Sequence, residues 1–202
     1  MPSIFEVAQA NTINNNFGLQ NPTYTINFNE FNPTPALIPI TTQYQNYGVI
    51  FDGLVSVHSL NPNHMPGVGG NAIFSNDNHI FSILFTSNQT SAAFAYGANY
   101  GQATFSALLN GTVIESFSTS VGPISAKPYY GFTNIVFNEI RFEQGNSPGG
   151  IYTYAAYVDN LQVSTVPEPE TYAMLLAGLG LIGGVARRRK QSTTDREPMH
   201  EQ

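Results

Sequence analysis

The sequence predicts an all-β chain: an antiparallel β-sandwich of jelly-roll type over residues 22–165, followed by one C-terminal transmembrane helix. Three observations carry this. Between residues 24 and 163, short β-type apolar runs alternate with Gly, Pro and Asn clusters, without any helical periodicity long enough to matter. Asn110-Gly111 stands between two such runs and is the strongest hairpin signal, because a type I′ turn needs positive φ at both central residues. After Val163 the composition changes, through Pro167-Glu168-Pro169 to the fifteen uncharged residues 172–186.

Taken in order, Tyr24, Ile26 and Phe28 alternate with Thr25, Asn27 and Asn29, which puts three large apolar groups on one face of a half-buried strand. Further strands are predicted at 49–51, 54–57, 80–85, 92–96, 103–109, 112–117, 135–142 and 152–163, about nine in all at the spacing of a sandwich. A domain of about 150 residues buries roughly 70% of its unfolded surface. The Phe, Tyr, Ile, Leu and Val of these runs therefore suffice for a core without cross-links. That matters because the chain has no Cys, which removes disulfides, thiolate zinc sites, iron–sulfur clusters and thiol nucleophiles.

Charged residues make up only 10% of the 202, against about 25% in typical soluble proteins, and Asn, Ser, Thr and Gly take their place. The net charge of −6 has the wrong sign for gripping phosphate backbones, which excludes nucleic acid as a partner. Residues 1–166 hold two cations, Lys127 and Arg141, against eight acids, whereas residues 167–202 hold five of each. Outer faces of Asn, Ser and Thr suit either a polysaccharide- or salt-rich exterior or simple neutral solubility.

Pro167 and Pro169 lack backbone N–H groups and fix φ, so residues 166–170 cannot extend a sheet and form an exposed, extended linker. As a helix, residues 172–186 would span roughly 23 Å at 1.5 Å per residue, short of the ~30 Å hydrocarbon core. Arg187, Arg188, Arg189 and Lys190 follow, and by the positive-inside rule they stay cytoplasmic with the sandwich outside. Gly180 and Gly184 have the G-x-x-x-G spacing of close helix packing, which a Gly-rich run also produces by composition.

The order Val166, Pro167, Glu168, Pro169, Thr171, then an apolar stretch, then Arg187 to Lys190, resembles the PEP-CTERM sorting signal of Gram-negative bacteria. The resemblance covers residues 166–190. It implies an exported protein held in the inner membrane in transit, recognised at Pro-Glu-Pro by the membrane enzyme exosortase, and processed toward the cell surface or extracellular matrix, often beside exopolysaccharide. Residues 191–202 extend past the family's usual stop as a polar tail, expected to be disordered. The family also has a leader. Ala8-Gln9-Ala10 has the small-x-small pattern of a signal-peptidase site without the charged and apolar regions that precede one, so residues 1–10 are expected to be a leader remnant after a start assigned too late.

Enzyme signatures are weak. Gly145-Asn146-Ser147-Pro148-Gly149 matches G-x-S-x-G, but Pro148 has no N–H for an oxyanion and no helix follows, so a turn is expected. His58, His64, His79 and His200 lack metal spacing. Glu30, ending the first predicted strand, and Asp159, in the last, occupy places resembling the structural calcium site of carbohydrate-binding-module sandwiches. Two carboxylates with backbone carbonyls make a hard oxygen site suited to Ca²⁺. The other account of the pair is two unrelated strand-end acids in solvent, and the carboxyl pair of a glycosidase is a third that nothing local singles out. Tyr96, Tyr100, Tyr129, Tyr130, Tyr152 and Tyr154 lie near predicted strand ends, where their rings either stack on sugars or pack in the core. The expectation is a non-enzymatic surface or matrix protein without a cofactor other than that calcium, sorted by exosortase and associated with exopolysaccharide or biofilm. Its alternatives are a carbohydrate-binding module and a permanently anchored sandwich.

Overall fold

Where apolar and polar residues alternate, the computed structural model places strands. It describes residues 12–30, 38–53, 55–75, 80–98, 101–122, 127–145, 155–165, 177–179 and 181–182. The chain divides into two units, Met1–Val166 and Pro167–Gln202. Among the described residues the first unit has twelve strands: β1 (Thr12–Asn15), β2 (Tyr24–Ile26), β3 (Ile38–Pro39), β4 (Val49–Asp52), β5 (Ser56–Met65), β6 (Val68–Ser75), β7 (Phe81–Ala98), β8 (Gly101–Leu109), β9 (Thr112–Val121), β10 (Tyr129–Phe132), β11 (Phe137–Gln144) and β12 (Ala156–Thr165). Every pairing is antiparallel.

Strand β7, eighteen residues long, belongs to both layers. Its first part pairs with β11 on one edge (Ile83 opposite Ile140) and with β4 on the other (Ile83 opposite Phe51). Its last part pairs with β10 (Phe94 opposite Tyr130) and with β12 (Tyr96 opposite Val158). One layer therefore runs β4, β7, β11, β8, β9, and the other extends from β7 through β12 to β6, β5 and β3, with β10 and β1 on β7's opposite edge. The sequence predicts two strands here, 80–85 and 92–96, with a break over Thr86 to Ser91. No Gly or Pro stands in that polar stretch, so nothing obliges the backbone to leave the ladder, and Thr86, Ser87 and Asn88 face solvent within it.

The core lies between the layers and is aromatic. Phe105 of β8 meets Phe94 of β7 at 5.1 Å, Tyr96 at 5.0 Å, Phe117 of β9 at 5.4 Å, Tyr130 of β10 at 5.3 Å and Phe142 of β11 at 5.7 Å between ring centroids. These are contacts across layers as well as along them, and each edge-to-face pair adds about 0.5–1.5 kcal/mol to the area it buries. A second aromatic group, Phe28, Tyr44 and Phe51, fills the end of the same core, where the Tyr44 hydroxyl donates to the Phe28 carbonyl at 2.9 Å.

The β8–β9 hairpin forms as predicted, with Leu109 opposite Thr112 and φ of +51° at Asn110 and +80° at Gly111. Strands β1, β3, β6 and β10 have no counterpart in the sequence prediction. Two are very short, and β6 and β10 hide their alternation behind glycines. Of the predicted 54–57 strand, Ser56 and Val57 open the ten-residue β5, which an irregular ladder between Leu60 and Met65 carries past Pro62. In the second unit, residues 177–179 and 181–182 are helical, and Leu179, Leu181 and Ile182 are exposed. Among the described residues no helix is long and apolar enough to cross a membrane; most of the predicted span 172–186 lies outside them.

Removing the ring on which five others converge is expected to destabilise the first unit by about 3–5 kcal/mol. A Phe105→Ala variant should show this as a lower urea midpoint, with the loss far exceeding that of Val113→Ala on exposed β9.

Candidate functional site

Strand β12 runs beside β7 along one edge, but on its other edge it changes partner. Residues Ala156 to Val158 pair with β6, and Leu161 to Val163 pair with β2. Asp159 and Asn160 fall at the change, where the β7 ladder also shifts register and Asn160 takes a φ of +47°. Asn accepts this left-handed conformation more readily than other residues that carry a Cβ. Here its amide donates to the Gly67 carbonyl at 2.9 Å.

Three segments converge on this bulge. The Asp159 carboxylate, 1% exposed, accepts from the Gly69 N–H at 3.0 Å and the Asn160 N–H at 2.6 Å. The turn after β2 folds on itself, with the Asn27 N–H donating to Glu30 at 3.4 Å and the Asn29 N–H to Asn27 at 3.1 Å. That turn docks on β6, where the Asn71 N–H donates to Asn29 Oδ1 at 2.9 Å. Gly70 permits the contact: its φ is +76°, and a Cβ there would lie 2.8 Å from Asn29 Oδ1.

The electrostatics are those of two acids brought together. Burial pushes the Asp159 carboxyl up from 3.8 to about 7; the two N–H groups oppose the rise and the negative charge of Glu30 adds to it. Tyr129, half-buried, is pushed up by burial and then by Asp159, so it belongs to the same neighbourhood. The structure thus brings the predicted pair Glu30 and Asp159 into mutual influence, with Asp159 buried and Glu30 exposed. Two carboxylates and the Asn27 and Asn29 side-chain oxygens are hard donors of the kind Ca²⁺ takes, and each Asp159 oxygen keeps one lone pair beyond its N–H bond. Among the described residues no group of three or more Asp, Glu or His side chains could hold a metal.

Beside this turn lies an open groove of about 400 Å³, whose lining includes Tyr24, Thr25, Glu30, Asn46, Tyr47 and Ser87. A short 3-10 turn, Gln45–Tyr47, presents Asn46 and Tyr47, and Gly48 closes it with φ +78°. The sequence prediction gave these residues no role. The available signal was Tyr44 and Tyr47 three apart before a Gly, the spacing at which side chains of a 3-10 turn lie one above the other.

The tyrosines chosen from sequence divide differently. Tyr96 and Tyr130 are core residues, 3% exposed each, Tyr129 is half-buried, and Tyr100, Tyr152 and Tyr154 lie outside the described residues. His58 packs on Phe74 and Tyr157 at 5.5 and 6.2 Å. The Gly145 N–H closes onto the Gln102 carbonyl at 2.7 Å, and the rest of that G-x-S-x-G match lies outside the described residues. So do Ala8, Ala10, Val166, Pro167, Glu168, Pro169, Thr171, Arg187, Arg188, Arg189 and Lys190.

In calcium-free buffer the native Asp159 keeps its proton up to about pH 7, whereas the unfolded chain releases it near 4. Between those values the native state binds more protons, so stability falls as pH rises. A thermal midpoint measured in EGTA should drop between pH 5 and pH 8 and level off above, and Asp159→Asn should flatten that dependence. A wild-type midpoint constant over this range would contradict the burial assigned to Asp159.

Comparison with known proteins adds one family match and several structural ones. No curated protein matches the chain. Solved structures to which it is similar include TmCBM61 in complex with beta-1,4-galactotriose, at 12% identity over 60% of this chain and 93% of that one, TM-score 0.36. Others are a variant of CBM29-2, a family 29 carbohydrate binding module, at 15% identity over 56% and 94%, TM-score 0.33, and ligand-free BiXyn10A CBM1, at 9% over 72% and 99%, TM-score 0.33. The model of the PEP-CTERM protein-sorting motif matches residues 165–190, the stretch that carries Pro167-Glu168-Pro169 and the basic cluster. The chain is therefore an all-β antiparallel module joined to a PEP-CTERM protein-sorting motif.

Proposed function

We propose that this is an exported, non-enzymatic surface or extracellular-matrix protein, carried through the inner membrane and sorted by exosortase at Pro167-Glu168-Pro169, and that it works in or near exopolysaccharide or biofilm. The observation that carries the proposal is where the motif begins. Strand β12 ends at Thr165, the chain's two units divide between Val166 and Pro167, and the family match starts at Thr165. Cleavage at Pro-Glu-Pro would therefore release the whole first unit without opening one of its ladders.

The chemistry of residues 166–190 suits that role. A processing enzyme needs extended, unpaired backbone, which Pro167 and Pro169 favour by withholding N–H donors. Glu168 supplies one charge between them. A 172–186 helix of roughly 23 Å is short for the ~30 Å core, so it would be held less firmly than a full span, as a temporary anchor should be. Arg187 to Lys190 would hold its far end on the cytoplasmic side.

Mass analysis of the protein from its own host, fractionated into membrane, surface and medium, tests this. The surface form should end near Pro167 to Pro169, and Glu168→Ala with Pro169→Ala should leave full-length chain in the inner membrane. Wild-type protein found only at full length, with Arg187 to Lys190 retained in that membrane, would replace sorting with permanent anchoring.

The proposal also gives the first unit a structural Ca²⁺ held by Glu30 and Asp159. Its support is the burial of Asp159 beside a second carboxylate and the amide oxygens of Asn27 and Asn29 in the same turn. The ion would supply positive charge between two acids and tie the β2 turn to β12. At pH 8, CaCl₂ should raise the thermal midpoint of wild-type protein over its value in EGTA, MgCl₂ should do so less, and Asp159→Asn should abolish the gain. No gain in wild type would leave the pair as a hydrogen-bonded anchor alone.

A further inference from the structure

We infer that the groove beside the β2 turn is a binding site for a neutral saccharide, with Tyr47 as its stacking platform and Asn46 as a hydrogen-bonding arm. The inference goes beyond sorting and does not depend on it, since it rests on the first unit alone.

The platform is exposed yet rigid. Tyr47 is 46% exposed, so one part of the ring is free to meet a ligand. The rest leans on Tyr44 at 6.0 Å between centroids, and Tyr44 is wholly buried, with its hydroxyl tied to the Phe28 carbonyl. The turn beneath is fixed at both ends. The Tyr47 N–H donates to the Tyr44 carbonyl at 2.9 Å, and the Gly48 carbonyl accepts from Thr86 of β7 at 3.0 Å. A ring already held in place loses little side-chain freedom on binding, which is how aromatic contacts come to favour association.

The polar lining selects the class of ligand. A pyranose presents apolar C–H faces and a rim of hydroxyls, so it needs an aromatic face together with donors and acceptors at the edge. Tyr47 and the half-buried Tyr24 give the first; the Asn46 amide, the hydroxyls of Thr25 and Ser87, and the Glu30 carboxylate give the second. The lining residues include no Lys or Arg, so no side chain there is built to pair with the sulfate or carboxylate groups of an anionic polymer. A volume of about 400 Å³ falls within the roughly 300–1,000 Å³ of small-ligand sites. Its open form lets a polymer lie along it.

Full-length protein in lauryldimethylamine oxide, a detergent without a sugar headgroup, tests this by affinity electrophoresis. Native gels at pH 8 would carry dextran, galactomannan, xyloglucan or, as the anionic control, alginate; the net charge of −6 drives migration. At least one neutral polymer should retard the wild type. Tyr47→Ala should weaken that retardation tenfold or more, Tyr47→Phe should largely keep it, and Asn46→Ala should weaken it several-fold. Thermal melts show whether each variant is folded, and Asn46→Ala carries the test if Tyr47→Ala melts early. No retardation by any neutral polymer, retardation by alginate alone, or equal retardation of wild type and the folded variants would overturn the inference.

Discussion

An eighteen-residue strand shared between two layers is the constraint on which the first unit depends. Every N–H and C=O along β7 must find a partner, and no single neighbour runs far enough to supply them. The ladder is therefore assembled from β4 and β11 over the first part, then β10 and β12 over the last. That arrangement sets Phe94 and Tyr96 against Phe105 and Phe142, so the aromatic core follows from how one backbone is satisfied.

The same hand-over between neighbours occurs on β12, and it creates the chemistry. Where β6 gives way to β2, the edge of β12 is paired to neither by regular ladder bonds, and the gap is filled by side chains from Asn29, Asp159 and Asn160. A carboxylate there serves two purposes at odds with each other. It ties β6 to the bulge through the Gly69 N–H, and above about pH 7 it places negative charge out of water beside Glu30. The β8–β9 ladder avoids such conflict by using hydroxyls, as in the cross-strand pairs Thr104–Ser118 at 2.7 Å and Ser106–Ser116 at 2.9 Å. Few charges are then needed to keep the β8–β9 ladder's outer face wet.

Much of this was legible in the residues, and the failures have physical reasons. Asn110-Gly111 announced its hairpin because the backbone conformation there admits few other residues, and Pro167-Glu168-Pro169 announced the sorting motif because its parts are contiguous. Short β-type apolar runs located β2, β4, β8, β9, β11 and β12. They split β7, because a stretch of Ser, Thr, Asn and Gln reads as a loop when its pairing comes from distant strands. Such runs miss β6, whose Gly70 leaves room for Asn29 to approach. Their places in the chain pair Glu30 with Asp159, but the burial that sets Asp159's chemistry comes from the partner change on β12, which no local pattern encodes. The groove was invisible for the same reason: Tyr24, Tyr47 and Ser87 come from three separate segments.

The end of β12 has a mechanical consequence. Thr165 lines the groove and is the last residue of the ladder, and Pro167 follows two positions later. Two residues of extended chain reach about 7 Å at most. Any attachment made at Pro167 would hold this module on a very short leash, with Thr165 as the ladder residue nearest the point of attachment. Such a tether limits how far the Thr165 end can stand from the attachment, whatever orientation the module takes.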